Sequence, residues 1–213
     1  GKQIKYYQAS SSEMFGNTIP SETGYTENSV FSPCSPYGAS KLASYWLTKT
    51  YRDGYNMFAS NGILFNHSSE RRGLNFASRK ITRASARIAL GLQNKIELGN
   101  LDAKRDEGHS RDYMKAVKLI MEHDKPEDFI VATGECHSIR QFAEKAFGYF
   151  NLDFNKYLIQ LEELKRPKEV PHLIGNSSKI RTVLNWKPEY NFDTLIEAMC
   201  KNDYEQEKKL AGL

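Results

Sequence analysis

The chain has 213 residues, 39% of them apolar and 26% charged, and a net charge of +4. This balance excludes a disordered chain, and the length suits one sizeable domain or two small ones. The charge is too mild to separate an anionic small substrate from a weak nucleic-acid partner. No stretch approaches the roughly 18 uninterrupted apolar residues of a membrane-spanning helix. Cys34, Cys136 and Cys200 form no CxxC pair, so a reduced, cytoplasmic setting is expected rather than a disulfide framework. The opening GKQIKYY has neither an apolar signal core nor an initiating Met, which leads to the expectation of a processed chain or a fragment.

Ile4 to Ser10 reads as a strand that runs into three hydroxyls, Ser10, Ser11 and Ser12, and one carboxylate, Glu13. Residues 17–35 are rich in Ser, Thr, Pro, Asn and Gly and read as a long loop. A helix starts at Ser35-Pro36, with Ser as the cap and Pro in the first turn. It carries Leu42, Tyr45, Trp46 and Leu47 and ends near Gly54. Met57 to Asn66 is a continuous apolar run of strand length, as in a parallel sheet buried on both faces. After the basic loop SSERRG, a helix places Ile81, Ala84, Ile88, Ala89 and Leu92 at helical spacing. KIELGN reads as a short strand, Ser110 to His123 as a helix, Asp128 to Thr133 as a third apolar strand and Ser138 to Phe150 as a helix. A short strand near Tyr157, a loop holding Arg166 and helices near Ser178 and Asp193 complete the chain. This order predicts an α/β fold with right-handed crossovers.

Tyr37 and Lys41 lie four residues apart in SPYGASK, so a helix stacks them on one face. An ammonium beside a phenol favours the phenolate, which suits Tyr37 to acid/base work. Alone, such a pair reads more readily as a half-buried Tyr beside a solvated Lys, because the spacing is common by chance. The strand before this helix changes the reading, because ligands of doubly wound sheets bind beyond the carboxyl ends of the strands. The Ser11–Glu13 cluster, the Tyr37–Lys41 helix and the strand end at Asn66-His67 would converge on one crevice.

QASSSEMFG, SPYGASKLASYWLTKTYRDGYNMFASNGILFNHSSERRG, RKITRA, LGNLDAKRDEGHSRDYM, PEDFIVATG and KRPKEV together resemble the GDP-mannose 4,6-dehydratases, an extended short-chain dehydrogenase/reductase family. The match runs in order from about residue 6 to residue 209. The resemblance implies the C-terminal part of a doubly wound, Rossmann-like parallel sheet (1–67 and 109–134) and a smaller α/β substrate-binding domain (68–108 and 135–213). The family's Gly-rich dinucleotide fingerprint has no counterpart here, so the first strand is expected to correspond to the fifth of the family sheet and to pair with a further segment or copy.

The implied chemistry is the conversion of GDP-mannose to GDP-4-keto-6-deoxymannose by internal hydride transfer through NADP. Tyr37 would exchange the proton of the 4-hydroxyl and Lys41 would hold Tyr37 and the nicotinamide ribose. Ser11 would bind the C4 oxygen. Glu13 would take the C5 proton and assist loss of the 6-hydroxyl, a role that a nucleotide-sugar epimerase does not need. The family usually has Thr where this chain has Ser11, which keeps the hydroxyl and loses the methyl that restricts it. By matched position, His67 and Arg72 resemble cofactor contacts, and the ERRG loop resembles the segment that reaches a neighbouring subunit's NADP site. Asn66, Lys80, Arg105, Arg166 and Glu169 resemble the substrate side, where cations neutralise a diphosphate. The expected partners are GDP-mannose and further copies of the chain, with no nucleic acid, no membrane and no metal. The alternatives are a non-catalytic nucleotide-sugar-binding or oligomerising fragment and a related epimerase or dehydratase.

Overall fold

The computed structural model describes residues 4–164, 170 and 172–213. The strands are β1 (Lys5–Ser11), β2 (Phe58–Leu64), β3 (Asn66–Ser68), β4 (Ile96–Leu98), β5 (Lys104–Arg105), β6 (Glu107–His109), β7 (Phe129–Val131), β8 (His137–Ser138), β9 (Leu158–Gln160) and β10 (His172–Leu173). The helices are α1 (Pro36–Tyr55), α2 (Ala77–Ala89), α3 (Ser110–Glu122), α4 (Ile139–Gly148), α5 (Ser178–Leu184) and α6 (Phe192–Leu210). As expected, strands and helices alternate in an α/β arrangement.

The principal sheet has the order β1-β2-β7 and is parallel throughout. Both of its faces are covered, since successive side chains point to opposite sides and each side packs against other elements. Ile63 and Ile130 pack with Tyr45 of α1 and with Phe15, Tyr25 and Phe65 on one face. Leu64, Phe129 and Val131 pack with Tyr113, Ala116 and Ile120 of α3 and with Ile180 and Trp186 on the other. Among the described residues β1 pairs with β2 alone, which leaves its second edge open. A separate core lies under α2, α4 and α6, built from Ile81, Ile88, Phe142, Phe147, Leu195 and Met199 with the β4 residues Ile96 and Leu98.

Helix α1 begins where its sequence signals say it should. Ser35 Oγ accepts from Gly38 N at 3.0 Å, and Pro36 occupies a first-turn position where no intrahelical N–H bond is lost. The helix ends at Asn56, whose left-handed φ of 53° reverses the chain. Of its apolar residues only Tyr45 is buried; Trp46 and Leu47 face outward with Tyr51 and Tyr55.

Two sequence expectations are corrected. The apolar run from Met57 to Asn66 is two strands, because the chain leaves the principal sheet after Leu64 and pairs Asn66–Ser68 with β6 instead. The α2 stripe stops short of Leu92, since the helix ends at Ala89 and Gly91 turns the chain at a φ of 73°. Ala89 is exposed for the same reason. Among the described residues no helix is long and apolar enough to cross a membrane.

Candidate active site

The carboxyl end of β1 carries the first group of predicted residues. Ser10 and Ser11 are buried, and Ser12–Met14 form a single 3-10 turn directly after the strand. Ser11 Oγ accepts from Glu13 N at 3.2 Å, capping that turn and fixing the backbone from which the Glu13 carboxylate projects.

The first turn of α1 packs against the same turn. A side chain at Gly38 would place its Cβ 2.7 Å from the Glu13 carbonyl oxygen, so only glycine lets the two backbones approach this closely. Tyr37 and Lys41 flank that contact, one turn apart as predicted. Lys41 Nζ donates to the Ala9 carbonyl at 2.9 Å and lies 5.5 Å from the centre of the Tyr37 ring. One of the three ammonium donors is therefore committed to the end of β1. Tyr37 is 54% exposed, so its phenol is open to a ligand.

Behind this surface a polar network locks α1 to the sheet. Asp128 accepts from Arg52 Nη1 and Nη2 at 2.7 and 2.9 Å, from Asn61 Nδ2 at 2.9 Å and from the Tyr45 hydroxyl at 3.1 Å. Burial works to raise the Asp128 pKa, but the bonds from Arg52 and Asn61 prevail and hold it below the usual carboxylate value. Ser10 Oγ donates to Asn61 Oδ1 at 3.1 Å, which ties the network to the end of β1.

The strand end at Asn66-His67 is shared with a second pair of strands. Asn66, His67 and Ser68 lie opposite Glu107, Gly108 and His109. His67 Nδ1 is 3.0 Å from the Phe65 carbonyl, which can only accept, so Nδ1 carries the proton and Nε2 presents a lone pair. Burial lowers the His67 pKa; the Phe65 bond opposes this and the Arg72 charge reinforces it. The ring stacks on Tyr113 at 4.7 Å. Arg72 Nη1 donates to the His67 carbonyl at 3.2 Å, and its guanidinium lies 3.7 Å from the centre of the Phe76 ring. The predicted cofactor pair is thus joined in the fold.

The predicted substrate-side residues are more dispersed. Lys80 is exposed on a cavity of about 460 Å³ shared with Leu74, Arg83, Arg87, Lys95 and Glu97. Arg105 is buried, and its Nη1 donates to the carbonyls of Lys104 and Val170, each at 2.8 Å. Arg166 and Glu169 lie outside the described residues.

Sequence reasoning passed over Gly38, Asp106 and Glu107. Gly38 was visible as a helix-breaking residue in the first turn of a helix, which is itself a signal of close approach. Asp106 is fully buried and accepts from Thr133 N and Oγ1 and from Gly134 N and Gly175 N. Glu107 accepts from Ser68 Oγ, which also bonds Ser78 Oγ at 2.8 Å. Nothing in RDEG distinguishes these carboxylates from solvated ones until β5, β6 and β7 are brought together.

A Tyr–Lys pair thus stands beside a hydroxyl-and-carboxylate strand end, and the chain is similar to known proteins along nearly its whole length. The family model described as GDP-mannose 4,6 dehydratase matches residues 1–199. GDP-mannose 4,6 dehydratase 2 of Arabidopsis thaliana is 48% identical over 98% of this chain and 55% of its own length. The human GDP-mannose 4,6 dehydratase is 44% identical over 95% of this chain and 58% of its own length. The chain therefore spans a little over half of these relatives. Among solved structures, RMD from Pseudomonas aeruginosa complexed with NADPH has a TM-score of 0.88 at 22% identity, covering 97% of this chain and 68% of that one. The dTDP-glucose 4,6-dehydratase of Bacillus anthracis, in complex with NAD, has a TM-score of 0.85 at 17% identity, covering 97% and 63%. These two likenesses establish the Rossmann-like fold. The identities to the curated relatives and the family match carry the further conclusion that the chain belongs to the GDP-mannose 4,6 dehydratase family.

Proposed function

We propose that this chain is the catalytic and substrate-binding portion of a dehydratase that converts GDP-mannose to GDP-4-keto-6-deoxymannose with NADP. The observation that carries the reading is the junction of β1 and α1. Ser11, Glu13, Tyr37 and Lys41 meet there through the Ser11–Glu13 cap, the Gly38 contact and the Lys41–Ala9 bond. The relatives in Arabidopsis thaliana and Homo sapiens are GDP-mannose 4,6 dehydratases, and the Pseudomonas aeruginosa neighbour is complexed with NADPH.

The residues present fit the reacting end of such a cofactor. The Tyr37 phenol is open, and the Lys41 ammonium has donors beyond the one given to Ala9. Lys41, His67 and Arg72 would hold the group, with neutral His67 offering a lone pair and Arg72 a charge. When bound, the cofactor supplies the acceptance and return of a hydride. Tyr37 takes the proton of the sugar 4-hydroxyl, with Lys41 supplying balancing charge and Ser11 a hydrogen bond to the oxygen. Glu13 removes the C5 proton once C4 is a ketone, and delivers a proton to the departing 6-hydroxyl. Asn66, Lys80, Arg105, Arg166 and Glu169 serve the nucleotide sugar.

In this reading residues 1–67 and 109–134 form the catalytic part and 68–108 and 135–213 the substrate-binding part, with Leu173, Ile180 and Trp186 of the second packed into the cores of the first. Homo-oligomerisation is supported by the exposed apolar stripe of Leu47, Tyr51 and Tyr55 on α1. A cytoplasmic setting is supported by the three free cysteines. The test is Tyr37→Phe in the intact protein. Turnover of GDP-mannose should vanish while calorimetric binding of the sugar nucleotide stays near normal; turnover close to wild type would sink the assignment.

A further inference from the structure

The loop between β3 and α2 carries Arg71 and Arg72 but has no apolar anchor of its own. Leu74 and Phe76, the two large hydrophobics that follow, are half exposed. The loop is held instead by Arg79 on the first turns of α2. Arg79 is only 5% exposed, an unusual state for a guanidinium unless it is paired. Its Nη1 donates to two loop carbonyls, those of Glu70 and Arg72, the second at 3.1 Å. Its Nη2 faces α6, 2.7 Å from Asp203 Oδ1 and 3.1 Å from Gln206 Oε1. Asp203 is itself fixed, since Thr82 Oγ1 donates to its other oxygen at 2.7 Å.

We infer that Arg79 is a positioning residue that fixes the basic loop and thereby aims Arg72 at an anionic dinucleotide; this rests on the reading of Arg72 as a cofactor contact. The planar guanidinium is the group that can do this. One edge binds a carboxylate on α6 while the other binds two carbonyls, an arrangement that the single point charge of a lysine cannot copy. Arg72 depends on the result twice. Its carbonyl is one of the gripped atoms, and its side chain bonds back to the His67 carbonyl across the loop that Arg79 closes. Glu70 has other tethers, a 3.5 Å contact from Asn202 Nδ2 and a 3.4 Å approach to His109 Nε2, so release should be felt most at Arg72.

The discriminating variant is Arg79→Lys in the intact protein, because it keeps a charge for Asp203 and gives up the grip on the loop. Amide exchange should rise about tenfold or more at Arg72, the scale of a lost charge-assisted hydrogen bond, while α2 and α6 exchange as before. Calorimetric affinity for NADP+ should fall with it. Unchanged exchange at Arg72, or an equal rise through the loop, α2 and α6, would overturn the inference and make Arg79 a packing strut. A loosened loop with undiminished NADP+ affinity would overturn the role toward the ligand. In that event Arg72→Ala identifies the fault: if it too leaves affinity unchanged, the reading of Arg72 has failed rather than the grip. If Arg79→Lys does not fold, Asp203→Asn, which keeps an acceptor for Thr82 and removes the charge that orients Arg79, is held to the same outcomes.

Discussion

Asp106 joins three separate segments through one carboxylate. One oxygen accepts from the amide and hydroxyl of Thr133 and the other from the amides of Gly134 and Gly175. Burial raises its pKa above the ordinary carboxylate value against the pull of these donors. Asp106→Asn should turn an NH2 group toward amides that already donate. The expected loss is about 1–3 kcal/mol for each amide left without an acceptor, read as a lower urea midpoint. A midpoint equal to wild type would show that Asp106 is not the staple described. His67 and His109 give a pH signature of known sign. Burial lowers both folded-state values, so below the unfolded value of about 6.5 the unfolded chain binds more protons. Stability should therefore be complete above that pH and fall as pH drops toward 5, and His67→Gln should flatten the slope. A variant slope as steep as wild type would contradict this.

At the scale of elements, the decisive contact is between the first turn of α1 and the turn that follows β1. Gly38→Ala tests it against propensity, since alanine in a helix is favoured over glycine by about 1 kcal/mol. Here its Cβ would meet the Glu13 carbonyl at 2.7 Å, so α1 must withdraw from the turn. The variant should lose stability by about 1–3 kcal/mol and lose turnover with it, whereas a more stable variant would refute the contact. Elements with local signals were legible: Ser35-Pro36 starts α1, and β7 lies in an apolar run. Five of the strands of two or three residues, β3, β5, β6, β8 and β10, were not. They carry too few side chains for a period and exist only because distant segments pair, as Asn66–Ser68 does with Glu107–His109.

At the scale of the molecule, the same division holds for the site. Tyr37, Lys41, Ser11 and Glu13 could be read from sequence because helix spacing and strand ends place them without reference to the rest of the fold. The Asp128 network that seats α1, the Asp106 staple and the Arg79 grip are built from residues 67, 27 and 124 positions apart, and composition offers no trace of such pairs. The central claim is that this assembly puts a base at C5 of a hexose. General base catalysis is typically worth about 10²–10⁴-fold, and Glu13→Gln keeps the shape of the side chain while removing its capacity to accept a proton. The direct measurement is the rate at which solvent deuterium enters C5 when the intact protein is given GDP-mannose and NADP+. The account predicts that Glu13→Gln slows this exchange, and formation of the 4-keto-6-deoxy product, by that factor; exchange and product formation at the wild-type rate would contradict it.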